Sequence, residues 1–490
     1  MTSPNPIVRV PFFVTPMNYR PYLVLATLCV ACLTPFASAA PRPNILFIFS
    51  DDHAQNAISA YGSKVNTTPH LDRLARGGAR FTNSFVTNSI CTPSRATLLT
   101  GQYSHLNGVP VFNRFDGSRD TVAKHLQAGG YHTGMIGKWH LGSDPTGFDR
   151  WIVLPGQGQY WNPSFLTPHG RLDIEGHCTD ITGALPENEQ TVARDLTNRD
   201  LKFMAPDNLK GPELRAWASE KPMAVTVDGK TLTGKALVKW KYQHYMRDYL
   251  ACVQGVDDNV GKVLDYLDAT GLAENTIVIY SADNGWYLGD LGLYDKRFMY
   301  EPGLRVPLIA RGPGIKAGTT PDQFVGNIDL APTFLDLAGL PIPESMQGHS
   351  VAPILRGESP ADWRETFYYR YYHSPGHHNT AAHYGVRTRT HKLIYYWDKD
   401  AFELFDLVND PDEQHNMLYS PIEAKRPAVQ KLFAELKAEI TRLQQVYHDD
   451  GQYADPATWP KGGVDGVGND LPRLGTLTVH EAMAQAVPGQ

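Results

Sequence analysis

Cysteine is scarce in this chain, with five in 490 residues: Cys29, Cys32, Cys91, Cys178 and Cys252. So few rule out a disulfide-dense scaffold; two fall in the first forty residues, and Cys178 with Cys252 is the pair left to consider if Cys91 has another task. Basic charge is not in excess either. The formal net charge is −6, from 45 Lys and Arg against 51 Asp and Glu, so no basic stripe for nucleic acid exists and any attraction of an anionic substrate has to be local. Long apolar runs are missing too. The best, residues 22–32, is too short and too soon followed by Pro35 to cross a bilayer, so no transmembrane anchor is expected. Internal repeats are absent as well.

What is present suits a large globular enzyme, 42% hydrophobic and 20% charged. Arg20, the apolar run after it and Ala37-Ser38-Ala39 have the pattern of a cleaved leader over residues 1–40, which predicts export to a periplasmic or extracellular location. Roughly 450 residues then remain, more than a single core usually holds, so two domains are expected, 41–345 and 346–450, with an irregular tail over 451–490. The continuous apolar runs Asn44–Ser50 and 276–281 read as strands buried on both faces, the mark of an α/β sheet. Between them, apolar and aromatic residues at three and four residue spacing over 239–268, Tyr242, Tyr245 and Tyr249 among them, predict a long helix with those rings in the core. A Pro/Gly-rich stretch, 339–360, reads as a linker. Beyond it, 384–389, 392–396 and 402–407 read as short antiparallel strands, and 428–446 as a helix.

The densest stretch is Cys91-Thr92-Pro93-Ser94-Arg95-Ala96-Thr97-Leu98-Leu99-Thr100-Gly101. Pro93 suits a first helical turn and Gly101 a stop, which puts Cys91 at a helix N-terminus. Free amides there, with the Arg95 guanidinium one turn on, favour a tetrahedral oxyanion such as sulfate or phosphate. Both buried strands run into acidic or amide side chains, Asp51-Asp52 and Asp283-Asn284, at the strand ends where α/β sheets place their sites. Three carboxylates and an amide oxygen on one point call for a hard cation, Ca²⁺ ahead of Mg²⁺. Lys138 and His140, two residues apart, would share one side of an extended segment.

The Cys91 run resembles the signature of the type I sulfatases, C-x-P-S-R-x-x-L-L-T-G, and similarity extends from Asn44 to about Asn416, nearest to bacterial polysaccharide and N-acetylglucosamine-6-sulfatases. The resemblance implies an alkaline-phosphatase-like α/β/α sandwich with a large mixed sheet and a smaller C-terminal antiparallel subdomain carrying a helix. It implies that a maturation enzyme converts Cys91 to formylglycine (3-oxoalanine). By the same resemblance Asp51, Asp52, Asp283, Asn284 and the modified Cys91 hold the metal, and Arg95, Lys138, His140 and Lys296 handle sulfate and protons. One hydroxyl of the hydrated aldehyde would attack sulfur, Lys296 or a histidine would protonate the leaving alcohol, and His140 would help the second hydroxyl expel sulfate.

Two departures stand out: no K-A-P-H motif occurs between Cys178 and Lys239, and Asp290-Leu291-Gly292 lacks the histidine that several relatives carry. The substrate implied is a sulfated sugar or glycan, with His383, Tyr384 and Arg387 beside a His-rich loop (His373, His377, His378) as candidate sugar contacts. Tyr160 and Trp161 are either pyranose-stacking or packing residues. A phosphonate or phosphate ester hydrolase on the same fold and a catalytically impaired sulfated-glycan binding protein are the alternatives.

Overall fold

The computed structural model describes residues 42–179, 225–227, 229–374, 376, 380–465 and 471–478. The expected leader, most of the stretch between Cys178 and Lys239, and His377 and His378 lie outside the described residues.

The two apolar runs pair as predicted. Asn44–Ser50 lies parallel to Thr276–Ala282, Asn44 opposite Thr276 and Ser50 opposite Ala282. Every residue of Thr276–Ala282 is buried. Leu308–Arg311 and then Ala79–Arg80 extend the sheet antiparallel, making it mixed. Side chains of a strand alternate between faces. Phe47, Ile277, Ile279 and Leu308 accordingly join Leu98, Leu99 and Phe334 on one side, while Leu46, Ile48, Val278 and Tyr280 meet Leu71, Leu74, Val260, Leu264 and Leu267 on the other. The second group comes from the helices Pro69–Arg76 and Gly234–Ala269, so helices cover both faces, as such runs require.

The C-terminal sheet has four antiparallel strands, Phe367–Tyr371, His383–Arg387, His391–Tyr396 and Ala401–Asp406, in that order. The helix Pro427–Val446 packs on one face through Val429, Leu436, Ile440 and Leu443 against Tyr368, Val386, Leu393 and Leu404. The other face, with Phe367, Tyr369 and Ile394, closes on Phe85, Ile90, Met299 and Phe324.

Two expectations change. The Pro/Gly-rich 339–360 stretch is no loose linker: Val351, Ile354 and Leu355 are buried in the same cluster as Phe334. Composition hid these few apolar anchors among glycines and prolines. The tail is not wholly irregular, because Arg473–Leu477 runs parallel to Gly170–Ile174 at the edge of a five-stranded sheet that ends in Gly134–Lys138. Four of its five residues are exposed, so it is held by main-chain bonds that leave no apolar pattern to read. Cys178 and Cys252, the pair left open by the sequence, form no disulfide; the first is buried and the second exposed. No helix among the described residues is long and apolar enough to cross a membrane.

Candidate active site

The pairing of Ser50 with Ala282 sets the site, since it makes Asp51-Asp52 and Asp283-Asn284 neighbours at the same end of the sheet. A left-handed turn at Asp52, φ 49°, leads out of the first strand. That turn is pinned twice: the Asp52 N–H donates to Asp283 Oδ1 at 3.0 Å, and the Tyr249 hydroxyl donates to Asp52 O at 3.0 Å while accepting from the Ala54 N–H. Tyr249 therefore does more than pack, which its helical spacing alone could not reveal.

Helix Cys91–Thr100 is buried over its whole length and ends at Gly101, φ 63°. Cys91 is its first residue, as predicted. The Asn327 side chain donates to Ser94 Oγ at 2.9 Å and accepts from the Thr87 N–H, which fixes the helix start against the approaching chain.

Around the Cys91 sulfur the predicted residues converge. Lys296 Nζ is 3.1 Å from Sγ, Lys138 Nζ 3.7 Å and Asn284 Nδ2 3.8 Å, and Asp51 Oδ1 lies at 3.5 Å. Each carboxylate has a cation. Asp51 accepts from Lys138 at 2.7 Å, Asp52 from Lys296, and Asp283 from Arg95 Nη2 at 2.8 Å and Nε at 3.0 Å. Arg95 Nη1 also donates to the Lys138 carbonyl at 2.6 Å, tying the helix to the end of Gly134–Lys138. Lys296 lies over the Trp286 ring, 5.3 Å from its centre.

Burial in this company shifts protonation. It pushes Asp283 up to about 7, with the Asp51 charge adding to the effect. For Asp51 burial also raises the value, but the Lys138 charge and the other neighbours outweigh it and hold the carboxyl well below its ordinary range. Burial and Asp51 push the Cys91 thiol up to about 12, so an unmodified Cys91 is a neutral thiol and a poor nucleophile. His140 is buried at φ 53°, a left-handed residue that breaks the strand alternation expected to align it with Lys138. Burial, Lys138 and Arg95 lower its imidazole to about 2, and its Nδ1 is buried without a partner.

The donor set fits a hard dication. One ligand atom from each of Asp51, Asp52, Cys91 and Asp283 lies within 4.8 Å of the others. Asn284 Oδ1, wholly buried, has no hydrogen-bond partner, and the amide's oxygen and nitrogen interchange by a simple flip. The three carboxylates and the amide oxygen suit Ca²⁺ or Mg²⁺.

The C-terminal candidates are elsewhere engaged. His383 is 0% exposed; its Nε2 accepts from the Met299 N–H at 3.1 Å and its Nδ1 donates to Ala381 O at 2.8 Å. Arg387 donates twice to Glu301, at 3.2 Å each, and Tyr384 stacks on Trp397. His383 and Arg387 are thereby joined to the 299–301 segment outside the sheet, while their strand His383–Arg387 is internal to it. Sequence reasoning missed Gln157, whose Oε1 accepts from Lys138 at 3.1 Å; a lone glutamine in a glycine-rich loop gives no signal.

Known proteins resemble this chain in sequence and fold. Residues 43–340 match the sulfatase family, and residues 289–446 match the family described as N-sulphoglucosamine sulphohydrolase, C-terminal. The chain is 38% identical to an N-acetylglucosamine-6-O-sulfatase of Bacteroides thetaiotaomicron, over 87% of this chain and 91% of that one. It is 30% identical to human arylsulfatase A, over 85% and 92%. A solved structure in complex with its substrate D-glucosamine-2-N,6-O-disulfate superposes with a TM-score of 0.71 at 35% identity, covering 84% of this chain and 99% of that one. Sequence and fold agree, and the chain belongs to the sulfatase family.

Proposed function

We propose that this sulfatase removes sulfate from a sulfated amino sugar, at the 6-position of N-acetylglucosamine, after Cys91 has been converted to formylglycine by a maturation enzyme. The observation that carries it is the convergence of Lys138, Lys296 and Asn284 on the Cys91 sulfur within 3.8 Å, on a helix N-terminus that already favours an oxyanion. The amino-sugar substrate is supported by the names of the relatives, one an N-acetylglucosamine-6-O-sulfatase and one solved with a 6-O-sulfated glucosamine. The leader-like residues 1–40 support export.

A Ca²⁺ held by Asp51, Asp52, Asp283, Asn284 and the group at position 91 would supply charge neutralisation to the sulfate ester. The formylglycine hydrate supplies a hydroxyl nucleophile that a neutral, buried thiol does not. Lys138 reaches position 91 from one neighbour carboxylate, Asp51, and Lys296 from another, Asp52, so two ammonium groups are held ready for sulfate oxygens. Lys296, the nearer, is the group placed to hand a proton to the departing alcohol oxygen. Arg95 keeps Asp283 and the Lys138 backbone in position. His140, held neutral by burial and by the Lys138 and Arg95 charges, keeps a third positive charge away from this cluster.

The test is a peptide mass across Cys91 in protein made with a maturation enzyme, together with sulfate release from 6-sulfated N-acetylglucosamine by the same sample. Sulfur lost from the peptide and sulfate released are the expected results. A fully converted peptide with no release from any sulfated sugar overturns the proposal.

A further inference from the structure

The loop between the strands Arg150–Leu154 and Ser164–Thr167 carries two side chains that the chemistry above does not use. Gln157 is exposed and sits between two left-handed glycines, Gly156 at φ 51° and Gly158 at φ 79°. Its Oε1 accepts from Lys138 Nζ at 3.1 Å, one contact removed from position 91. The turn is fixed from behind: the Gly158 N–H donates to Pro155 O at 2.9 Å, and a Cβ on Gly156 would stand 2.8 Å from Asp465 Oδ1.

Tyr160 follows, 63% exposed. Exposed aromatics are ordinary when they stand alone, but this ring is held. It stacks on His177, with centres 6.3 Å apart and planes 10° apart. Its carbonyl accepts from the Cys178 N–H at 2.7 Å, the Asn162 N–H donates to Gly176 O at 2.8 Å, and Trp161 bridges to His177 through the main chain. The loop that carries this ring borders the site through Gln157, three residues earlier and bonded to Lys138. A tyrosine ring prearranged in this way offers a flat apolar surface at small entropic cost.

We propose that Tyr160, with Gln157 beside it, forms the wall that receives the alcohol half of the ester, a pyranose whose apolar face lies on the Tyr160 ring. The assignment rests on the sulfatase reading above. It makes Tyr160 a specificity-determining residue, acting on the sugar and not on the sulfate.

Titration calorimetry on a non-hydrolysing Cys91→Ala background separates the two, with 6-sulfated N-acetylglucosamine and inorganic sulfate as probes. Tyr160→Ala is expected to weaken the sugar about fivefold to tenfold, the range for loss of one aromatic contact. Tyr160→Phe should keep the affinity, and sulfate should bind equally to all three proteins. An unchanged sugar affinity in Tyr160→Ala, an equal loss for sulfate, or no sugar binding before any change at Tyr160 overturns the wall. If the matured wild-type protein binds the sugar but releases no sulfate, the sulfatase reading falls, while the Tyr160→Ala comparison still decides the wall.

Discussion

Lys296 reaches the Cys91 sulfur at 3.1 Å while its ammonium is also bonded to Asp52, so one buried cation touches both the position of the nucleophile and a residue placed to hold metal. Lys296 is only 5% exposed, and no neutral water in its place would carry its charge. Lys296→Ala is expected to lower kcat about a hundredfold to a thousandfold, in the range of a lost general acid. KM for the sugar should change much less. Steady-state kinetics on protein with verified formylglycine gives the answer, and an unchanged kcat would remove Lys296 from the reaction.

Position 91 separates a sulfatase cycle from a single reaction. In Cys91→Ser one hydroxyl replaces the two of an aldehyde hydrate, so a sulfated serine has no second hydroxyl with which to expel sulfate. The variant is expected to bind or react once and then stop. Rapid-quench measurement would show at most one equivalent of desulfated alcohol per protein, with the sulfate retained on the chain; sustained release of sulfate would contradict the cycle.

Asp283 is wholly buried and carries two bonds from Arg95. Asp283→Asn leaves that guanidinium with only its longer carboxylate contact, to Asp51 at 3.4 Å, a loss of up to about 3 kcal/mol, and removes one carboxylate from the ligand group. Two readouts follow: a lower midpoint in urea unfolding, and weaker retention of Ca²⁺ on dialysis as measured by elemental analysis. Chelation of the wild-type protein should abolish activity, and added Ca²⁺ should restore it without Cys91 being remade.

Much of this site was legible because its residues are attached to patterns. Asp51-Asp52 and Asp283-Asn284 follow apolar strands, and a register of parallel strands brings strand ends together without further information. Cys91 and Arg95 flank Pro93 at the start of a helix that Gly101 ends. What stayed hidden depends on partners distant in sequence. His383 and Arg387 looked like sugar contacts, yet Met299, Ala381 and Glu301 engage them, contacts between segments that no local pattern announces. The Arg473–Leu477 strand was invisible because it joins the sheet with exposed side chains, and Gln157 because a single amide in a loop has no period.

His383 yields a stability prediction in place of a binding one. Burial lowers its imidazole from 6.5 to about 4, and the bond from the Met299 N–H to Nε2 requires the neutral ring. In the unfolded chain the same histidine takes up a proton as the pH falls below 6.5, which the native state resists down to about 4. The unfolded state therefore binds more protons across that window, and stability is full above 6.5 and lost as the pH falls towards 4. A gap of this size corresponds to about 3 kcal/mol at most. Urea midpoints measured from pH 7.5 to 4 should fall with acidification in the wild type. In His383→Gln, less stable at neutral pH because the imidazole's fit is lost, the fall over the same window should be shallower. Parallel curves for the two proteins would show that the acid sensitivity resides in other groups.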